Sequence, residues 1–300
     1  MKILIFSRRQ IVHTSEQLEQ LFGAIERSGC DYAVNREFAD FVRTATGRDI
    51  PSEKCYGEQI GPQPADSLLL CYGGDGTLLE GVHRLGGQPV PVLGFNAGHL
   101  GFLSGDAGRE IDTLIRAVAA GEIRTQPRTM LRITGDFPEA ASLPCALNEF
   151  AVQRRGAGMI SVEISVDGQL VAVCNGDGVL LSTPTGSTAY SLSAGGPVVA
   201  PDCACLIISP LAPHNLTMRP VVIPDTSKVT LRVRARNADA FATVDHRSLP
   251  IPPEATFRAE LAEQRIYLAV PHNISFYDTL RNKMMWGYDV RVRRPDESRQ

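Results

Sequence analysis

Two stretches of this chain combine residue types better suited to chemistry than to packing. The first, CYGGDGTLLEG at residues 71–81, sets one carboxylate, Asp75, among Gly73, Gly74 and Gly76, with Thr77 following. An apolar run precedes it and helical spacing follows it, so the turn falls where a buried strand hands over to a helix. Glycines let a backbone approach a ligand closely, and the first amides of a helix are unpaired donors suited to phosphate. An acid in such a turn is a turn-former, a metal ligand, or a base acting on a group beside the phosphate. The second stretch, NGDGVLLSTPTGSTAYSLSAGGP at residues 175–197, is dominated by hydroxyls and glycines, and Asp177 is its only charge. It offers backbone amides and short donors and acceptors, the equipment for recognising ribose and amide groups. Tyr190 adds a ring for stacking.

Three further stretches carry weaker signals. VLGFNAGHLGFL at 92–103 places Asn96, Gly98, Gly101 and Phe102 at the end of another apolar run. Two neighbouring glycine-rich strand ends make one crevice, the usual ligand position in open α/β sheets. Neither end satisfies G-x-G-x-x-G, and no G-x-x-x-x-G-K-[ST] occurs, so the common dinucleotide and P-loop fingerprints are absent. Asn148-Glu149 interrupts the strand-like CALNEFAVQ; neighbours on a strand face opposite ways, so one of the two points inward and needs a partner. Asp245, His246 and Arg247, in VDHRS, read by themselves as a surface turn. Cys203 and Cys205 lack a second pair at metal-ligand spacing and read as buried strand positions.

The elements that must position these residues change character along the chain. Up to about residue 121, apolar runs (KILIF, DSLLLCY, PVPVLGF) alternate with helical spacing (EQLEQLFGAIERSG, TLLEGVHRLG, REIDTLIRAVAAGE). That alternation predicts a parallel sheet covered on both faces. From 122 to 274 strand-like segments dominate, among them TMLRIT, EFAVQRR, ISVEISV, KVTLRVRAR and RIYLAV, and Asp167-Gly168 marks a hairpin. The expected organisation is an α/β nucleotide-binding domain over 1–121 and a β-rich domain over 122–274. A final helical segment within 275–300 is expected to pack back on the first.

With 43% hydrophobic and 21% charged residues and a net charge of −3, the chain has no overall field that would draw nucleic acid or an anionic membrane. It has no apolar run of the ~20 residues a membrane span needs. Seven scattered cysteines suit reduced thiols, so a cytoplasmic protein is expected.

At this point the residues resemble a known family. GGDGTLL, GFNAGHLGFL, Asn148-Glu149, GDGVLLSTPTGSTAYSLSAGGP, ISPLAPHNLTMRPVVIP and FYDTLRNKMMWG occur in the order seen in NAD kinases, over roughly residues 65–288. GGDG alone is shared with diacylglycerol and sphingosine kinases and with phosphofructokinases; the Thr-Pro-Thr-Gly-Ser-Thr-Ala-Tyr element is far more specific.

The resemblance implies transfer of the γ-phosphate of ATP, carried with Mg²⁺, to the 2′-hydroxyl of the adenosine ribose of NAD. Asp75 would be the catalytic acid-base group, and Gly73, Gly74, Gly76 and Thr77 the phosphate loop. Asn148, Glu149, Asp177, Thr188, Ala189, Tyr190, Ser191, Leu192, Ser193 and Ala212 would hold the dinucleotide, with Asp75 and Gly76 also against it. Asn96, Phe102, Asn175, Asp245, His246 and Arg247 are additional candidates. No fixed protein ligands for the metal are implied, and a homodimer or homotetramer is. Two places depart from the family: a glutamine usual after the Asp of Asp-x-Gln is Arg247 here, a candidate for a phosphate, and the basic residue after Asn-Glu is at best Arg155. A lipid kinase, an NAD(H) sensor without chemistry and an oxidoreductase remain as other readings of the same residues.

Overall fold

The computed structural model describes residues 1–8, 13–96, 103–105, 111–138, 145–235, 239–271 and 275–287. Its six helices among these are α1 (Ser15–Ser28), α2 (Arg36–Thr46), α3 (Asp75–Arg84), α4 (Ile111–Ala119), α5 (Tyr190–Ser193) and α6 (Phe276–Met284). Strands are named by their residues.

The first strand, Lys2–Phe6, shows why the N-terminal half folds as it does. Ile3 and Ile5 point into a core made with α1, α2 and α4, while Leu4 and Phe6 point into a second core with α3. A strand buried on both faces has no polar side to alternate with. Each fully buried Leu, Ile or Phe contributes roughly 1.5–3 kcal/mol. Parallel neighbours extend the sheet in the order Cys55–Tyr56, Asp31–Asn35, Lys2–Phe6, Ser67–Tyr72, Val92–Phe95. Helix boundaries follow local chemistry: Thr14 caps α1 in a reciprocal bond with Gln17, and Gly29 ends it with a left-handed backbone.

The sheet then recruits strands from far along the chain. Ile266–Pro271 joins the edge of Val92–Phe95 in parallel, and Ile123–Arg128 pairs antiparallel with it to close that side. Drawn by sheet membership, the chain leaves the first sheet after Arg128 and returns at Ile266, so two covalent crossings join the halves.

Between the crossings lie two six-stranded antiparallel sheets. One runs Val221–Pro224, Cys205–Leu211, Gly178–Ser182, Glu149–Arg155, Asp239–Val244, Arg247–Ile251; the other runs Gln169–Gly176, Ile160–Val166, Val229–Arg234, Glu254–Leu261, Leu131–Gly135, Cys145–Ala146. Alternating inward residues from both sheets share one core, in which Phe137, Phe150 and Phe257 form a ring cluster with Phe150 and Phe257 centroids 5.4 Å apart. Asp167 and Gly168, both at positive φ, make the expected tight hairpin between Ile160–Val166 and Gln169–Gly176. Met130 and Leu147 leave the sandwich core and pack with α3 in the first domain's second core.

Cys203 differs from expectation: it is exposed on the approach to Cys205–Leu211, and only Cys205 enters the strand. Among the described residues no group of three His, Cys, Asp or Glu is placed to hold a metal, and no helix is long and apolar enough to cross a membrane.

Candidate functional site

Asp75 belongs to the first turn of α3, directly beyond the buried Ser67–Tyr72 strand. The N-cap is Gly74, with no side chain capping it, so Asp75 does not serve as its own helix's cap. Its Oδ1 instead accepts a hydrogen bond from the Leu103 amide at 3.2 Å. The Gly73 amide donates to the Phe95 carbonyl at 2.7 Å, which ties the two strand ends into one edge. Asn96 lies at the same edge: its Nδ2 is 3.4 Å from the point where a Cβ would stand on Gly74. Arg8 Nη1 stands 3.0 Å from the equivalent point on Gly76, bringing a guanidinium to the helix N-terminus. The pKa of the Lys283 ammonium, on α6, is pulled down by burial and held up in part by the Asp75 charge, so this cation acts on the carboxylate.

The sandwich presents its own polar residues to the junction. Asn148 and Glu149, where the Glu149–Arg155 strand begins, are both buried, at 6% and 8% exposure. Asn148 Oδ1 and Glu149 Oε2 have no hydrogen-bond partner, which is costly unless a ligand completes them. Burial pushes the Glu149 carboxyl up to about 8; the neighbouring Asp245 charge adds to this, and the Tyr190 amide opposes it.

The hydroxyl-rich loop is stitched to the same backbone. The Thr183 amide donates to the Asn148 carbonyl at 2.9 Å, and Thr183 Oγ1 donates to the Leu147 carbonyl at 2.6 Å. Gly186 leaves no room for a side chain, because a Cβ there would lie 2.2 Å from the Asn148 carbonyl oxygen. Several hydroxyls of this motif therefore build the loop: Ser182, Thr183 and Ser187 bond backbone, and buried Ser191 faces Ser209 at 3.4 Å. Thr188, Ala189 and Leu192 are half-buried, and Ser193 is exposed beside Tyr190.

A cleft of about 540 Å³ opens along that loop, lined by Gln153, Arg154, Asp177, Tyr190, Ser193 and Ala212, among others. Tyr190 is tethered by its hydroxyl to Gln153 Oε1 at 3.0 Å, leaving its ring at the surface. Ala212 adopts φ 41°, a strained value for a residue with a Cβ, at the rim of this cleft. Asp177 is paired with Arg154 Nε at 2.6 Å. The basic residue after Asn-Glu that faces the cleft is thus Arg154, while Arg155 is exposed. Asn175 takes part through its backbone, its carbonyl accepting from the His214 amide at 2.8 Å. A smaller gap of about 60 Å³ separates Pro184, Thr185 and Thr188 from Leu103 and from Phe276 and Thr279 of α6. The last helix thus reaches the edge that carries Asp75.

Asp245, His246 and Arg247 form a turn, as expected, but a buried one. Asp245 has φ 52°, and its carboxylate accepts from the amides of Leu147, Asn148 and Glu149 at 2.9, 2.7 and 3.2 Å. Burial raises its pKa and these three amides oppose the rise. His246 Nε2 and Glu80 Oε2 of α3 are 2.6 Å apart, and Arg247 Nη1 is 2.7 Å from the His83 ring nitrogens. Arg247 is thereby engaged with α3 rather than turned to a phosphate. The hydrogen bond from His246, assisted by Arg84, holds Glu80 down to about 2 against the effect of burial.

The structure thus gathers Asp75, Gly73, Gly74, Gly76 and Asn96 at one sheet edge, and Asn148, Glu149, Tyr190 and Asp177 around the hydroxyl-rich loop of the sandwich. Phe102, Gly98 and Gly101 lie outside the described residues. Sequence reasoning did not single out Arg8, Gln153 or Lys283. Lys283 sits inside the quoted FYDTLRNKMMWG, but only the packing of α6 brings it to Asp75.

Residues 52–123 match the model of the ATP-NAD kinase N-terminal domain, and residues 147–268 that of the ATP-NAD kinase C-terminal domain. The NAD kinase of Bacteroides fragilis is 34% identical over 293 residues, covering 97% of this chain and all of that protein. That of Porphyromonas gingivalis is 35% identical over 97% of this chain and 99% of its own. Among solved structures, yeast NADH kinase complexed with NADH superimposes with a TM-score of 0.82 at 23% identity, over 99% of this chain and 90% of that one. An NAD kinase from Archaeoglobus fulgidus in complex with ATP gives 0.68 at 24%, over 95% and 98%. With both domain models matched in order and relatives aligned end to end, this chain belongs to the NAD kinase family of phosphotransferases.

Proposed function

We propose that the protein transfers the γ-phosphoryl group of ATP to the 2′-hydroxyl of the adenosine ribose of NAD, giving NADP. One observation carries the reading to particular residues. Asp75 stands at a helix N-terminus with Lys283 acting on it and Arg8 beside Gly76, and the other half carries buried Asn148 Oδ1 and Glu149 Oε2 without partners.

The roles follow from chemistry. Amides at the start of α3, with the guanidinium of Arg8, suit the transferred phosphate. Asp75 orients the attacking hydroxyl and accepts its proton late, as the bond to phosphorus forms and the bond to the leaving ADP oxygen breaks. Asn148 and Glu149 take the hydroxyls of the same ribose, and a carboxylate accepting from a vicinal diol fixes which oxygen faces Asp75. Tyr190 and the cleft beside it take the flat base. The divalent ion enters as part of the ATP complex and neutralises phosphate charge, so it needs few ligands from the protein itself.

Assembly into a homodimer or homotetramer is part of the proposal. Val221 and Val222 on the edge strand Val221–Pro224 are about half exposed, an apolar edge that a second copy would cover. The deciding experiment is direct: incubate the protein with ATP, Mg²⁺ and NAD, then read NADP with a coupled NADP-specific dehydrogenase. Intact NAD binding without product would point to a sensor instead.

A further inference from the structure

The turn at 245–247 grips two bodies with three consecutive residues. Asp245 holds the Leu147–Glu149 backbone through three amides, and the next two side chains hold α3 through Glu80 and His83. Asp75 opens α3, and Asn148 and Glu149 open the strand that Asp245 brackets. The covalent crossings run through Met130 and Ile266, which pack in the same core as Leu78 and Val82 of α3. Beside that apolar packing, the polar contacts of this turn link the segment that holds Asn148 and Glu149 to the helix that Asp75 opens.

We propose that His246 and Arg247 are positioning residues, which act through α3 to set Asp75 against the ribose held by Asn148 and Glu149. The proposal rests on the kinase reading above. His246 touches Glu80 and Arg247 touches His83, so neither needs to contact substrate to matter. Both are partly buried, and the polar network around them is dense: Glu80, His83 and Arg84 face it from α3, Asp245 from the turn and Cys145 from the adjoining strand. Pairs taken out of water in this way hold geometry more than they add stability. Reacting atoms displaced by about 1 Å lose on the order of 10²-fold in rate. Loosening one contact of a pair of contacts should therefore lower kcat while leaving each half-site intact.

The test is a double-mutant cycle on His246 and Glu80 in the full chain, with kcat, KM for NAD, NAD affinity by calorimetry and Tm measured for each variant. His246→Ala and Glu80→Ala are each expected to lower kcat about tenfold, with NAD affinity within about threefold of wild type. The double variant should be no slower than the slower single, and His246→Gln, which keeps a donor toward Glu80, should recover to within about threefold of wild type. Normal kcat in Glu80→Ala beside a slow His246→Ala would overturn the proposal and make His246 a substrate-contacting group. Lower Tm with unchanged kcat in both would overturn it in favour of a purely structural role. A wild-type chain that made no NADP would remove the kinase reading and the proposal together, a result distinct from either mutant pattern.

Discussion

The two halves of the site handle charge in opposite ways. At the end of the Ser67–Tyr72 strand, the polar work falls to backbone amides and glycines, with Lys283 acting on the single carboxylate, Asp75, and Arg8 beside Gly76. In the sandwich, two carboxylates, Glu149 and Asp245, lie within the protein close enough to raise the cost of ionising Glu149, whose Oε2 has no partner. The first arrangement suits an anion that arrives with its own counterion. The second is an unfinished hydrogen-bond set that a neutral polyol completes. In the proposed reaction, phosphoryl donor and hydroxyl acceptor would be separated by the electrostatics of their hosts as well as by shape.

The sharpest way to break this comparison is at Asp75. Asp75→Asn keeps the shape and removes the proton acceptor, so kcat should fall by roughly 10²–10⁴-fold while NAD affinity stays within a few fold. Near-normal turnover in the coupled assay would mean that Asp75 is not the base. Asp245→Ala tests the other half by a different route. It strips three buried amides of their acceptor, so NAD affinity should drop about tenfold or more and Tm by several degrees, read by calorimetry and thermal unfolding.

Glu149→Gln should separate binding from stability. The folded carboxyl, at about 8, lies above its ordinary value of 4.5. Between those two values the unfolded chain has lost the proton and the folded chain keeps it. Wild-type stability therefore falls as pH rises from 4.5 to about 8, and levels off above. An amide at this position cannot ionise. The variant should therefore match wild type near pH 4.5 and exceed its Tm by a few degrees near pH 8, while binding NAD about tenfold more weakly. Donation of ribose hydroxyls to Glu149 should also release protons on NAD binding near pH 7, seen as a dependence of the binding enthalpy on buffer. At the small end stands Arg232→Ala, which removes an exposed pair with Glu163 on the outer face of the sandwich. Its effect on stability should stay within about 0.5 kcal/mol. A larger loss would show that the sandwich surface contributes more than its screened charges suggest.

Much of the architecture could be read locally. Continuous apolar runs such as DSLLLCY read as strands covered on both sides, and the helical spacing of EQLEQLFGAIERSG reads as α1. Asp167-Gly168 specifies its hairpin, because both residues tolerate positive φ. Gly73 to Thr77 and residues 183–193 stood out as glycine and hydroxyl runs between apolar flanks, although Thr183, Ser187 and Ser191 are buried and build the loop itself.

Long-range contacts were different. Nothing local tells that Ile266–Pro271 inserts beside Val92–Phe95, since strand order depends on which edges remain open after the rest has folded. VDHRS carries ordinary turn chemistry. Its grip on Asn148 and Glu149 exists only once the Glu149–Arg155 and Asp239–Val244 strands pair, and its contact with α3 only once the halves meet. Lys283 becomes a neighbour of Asp75 in the same way. The chemical parts are written in the chain: an acid in a glycine turn, a run of short hydroxyls and glycines, and a tyrosine ring. They depend on residue type and short spacing alone. How those parts face one another, and which side chains hold them apart, came only with the folded arrangement. Such distances are set by packing between segments more than a hundred residues apart, and no local pattern encodes them.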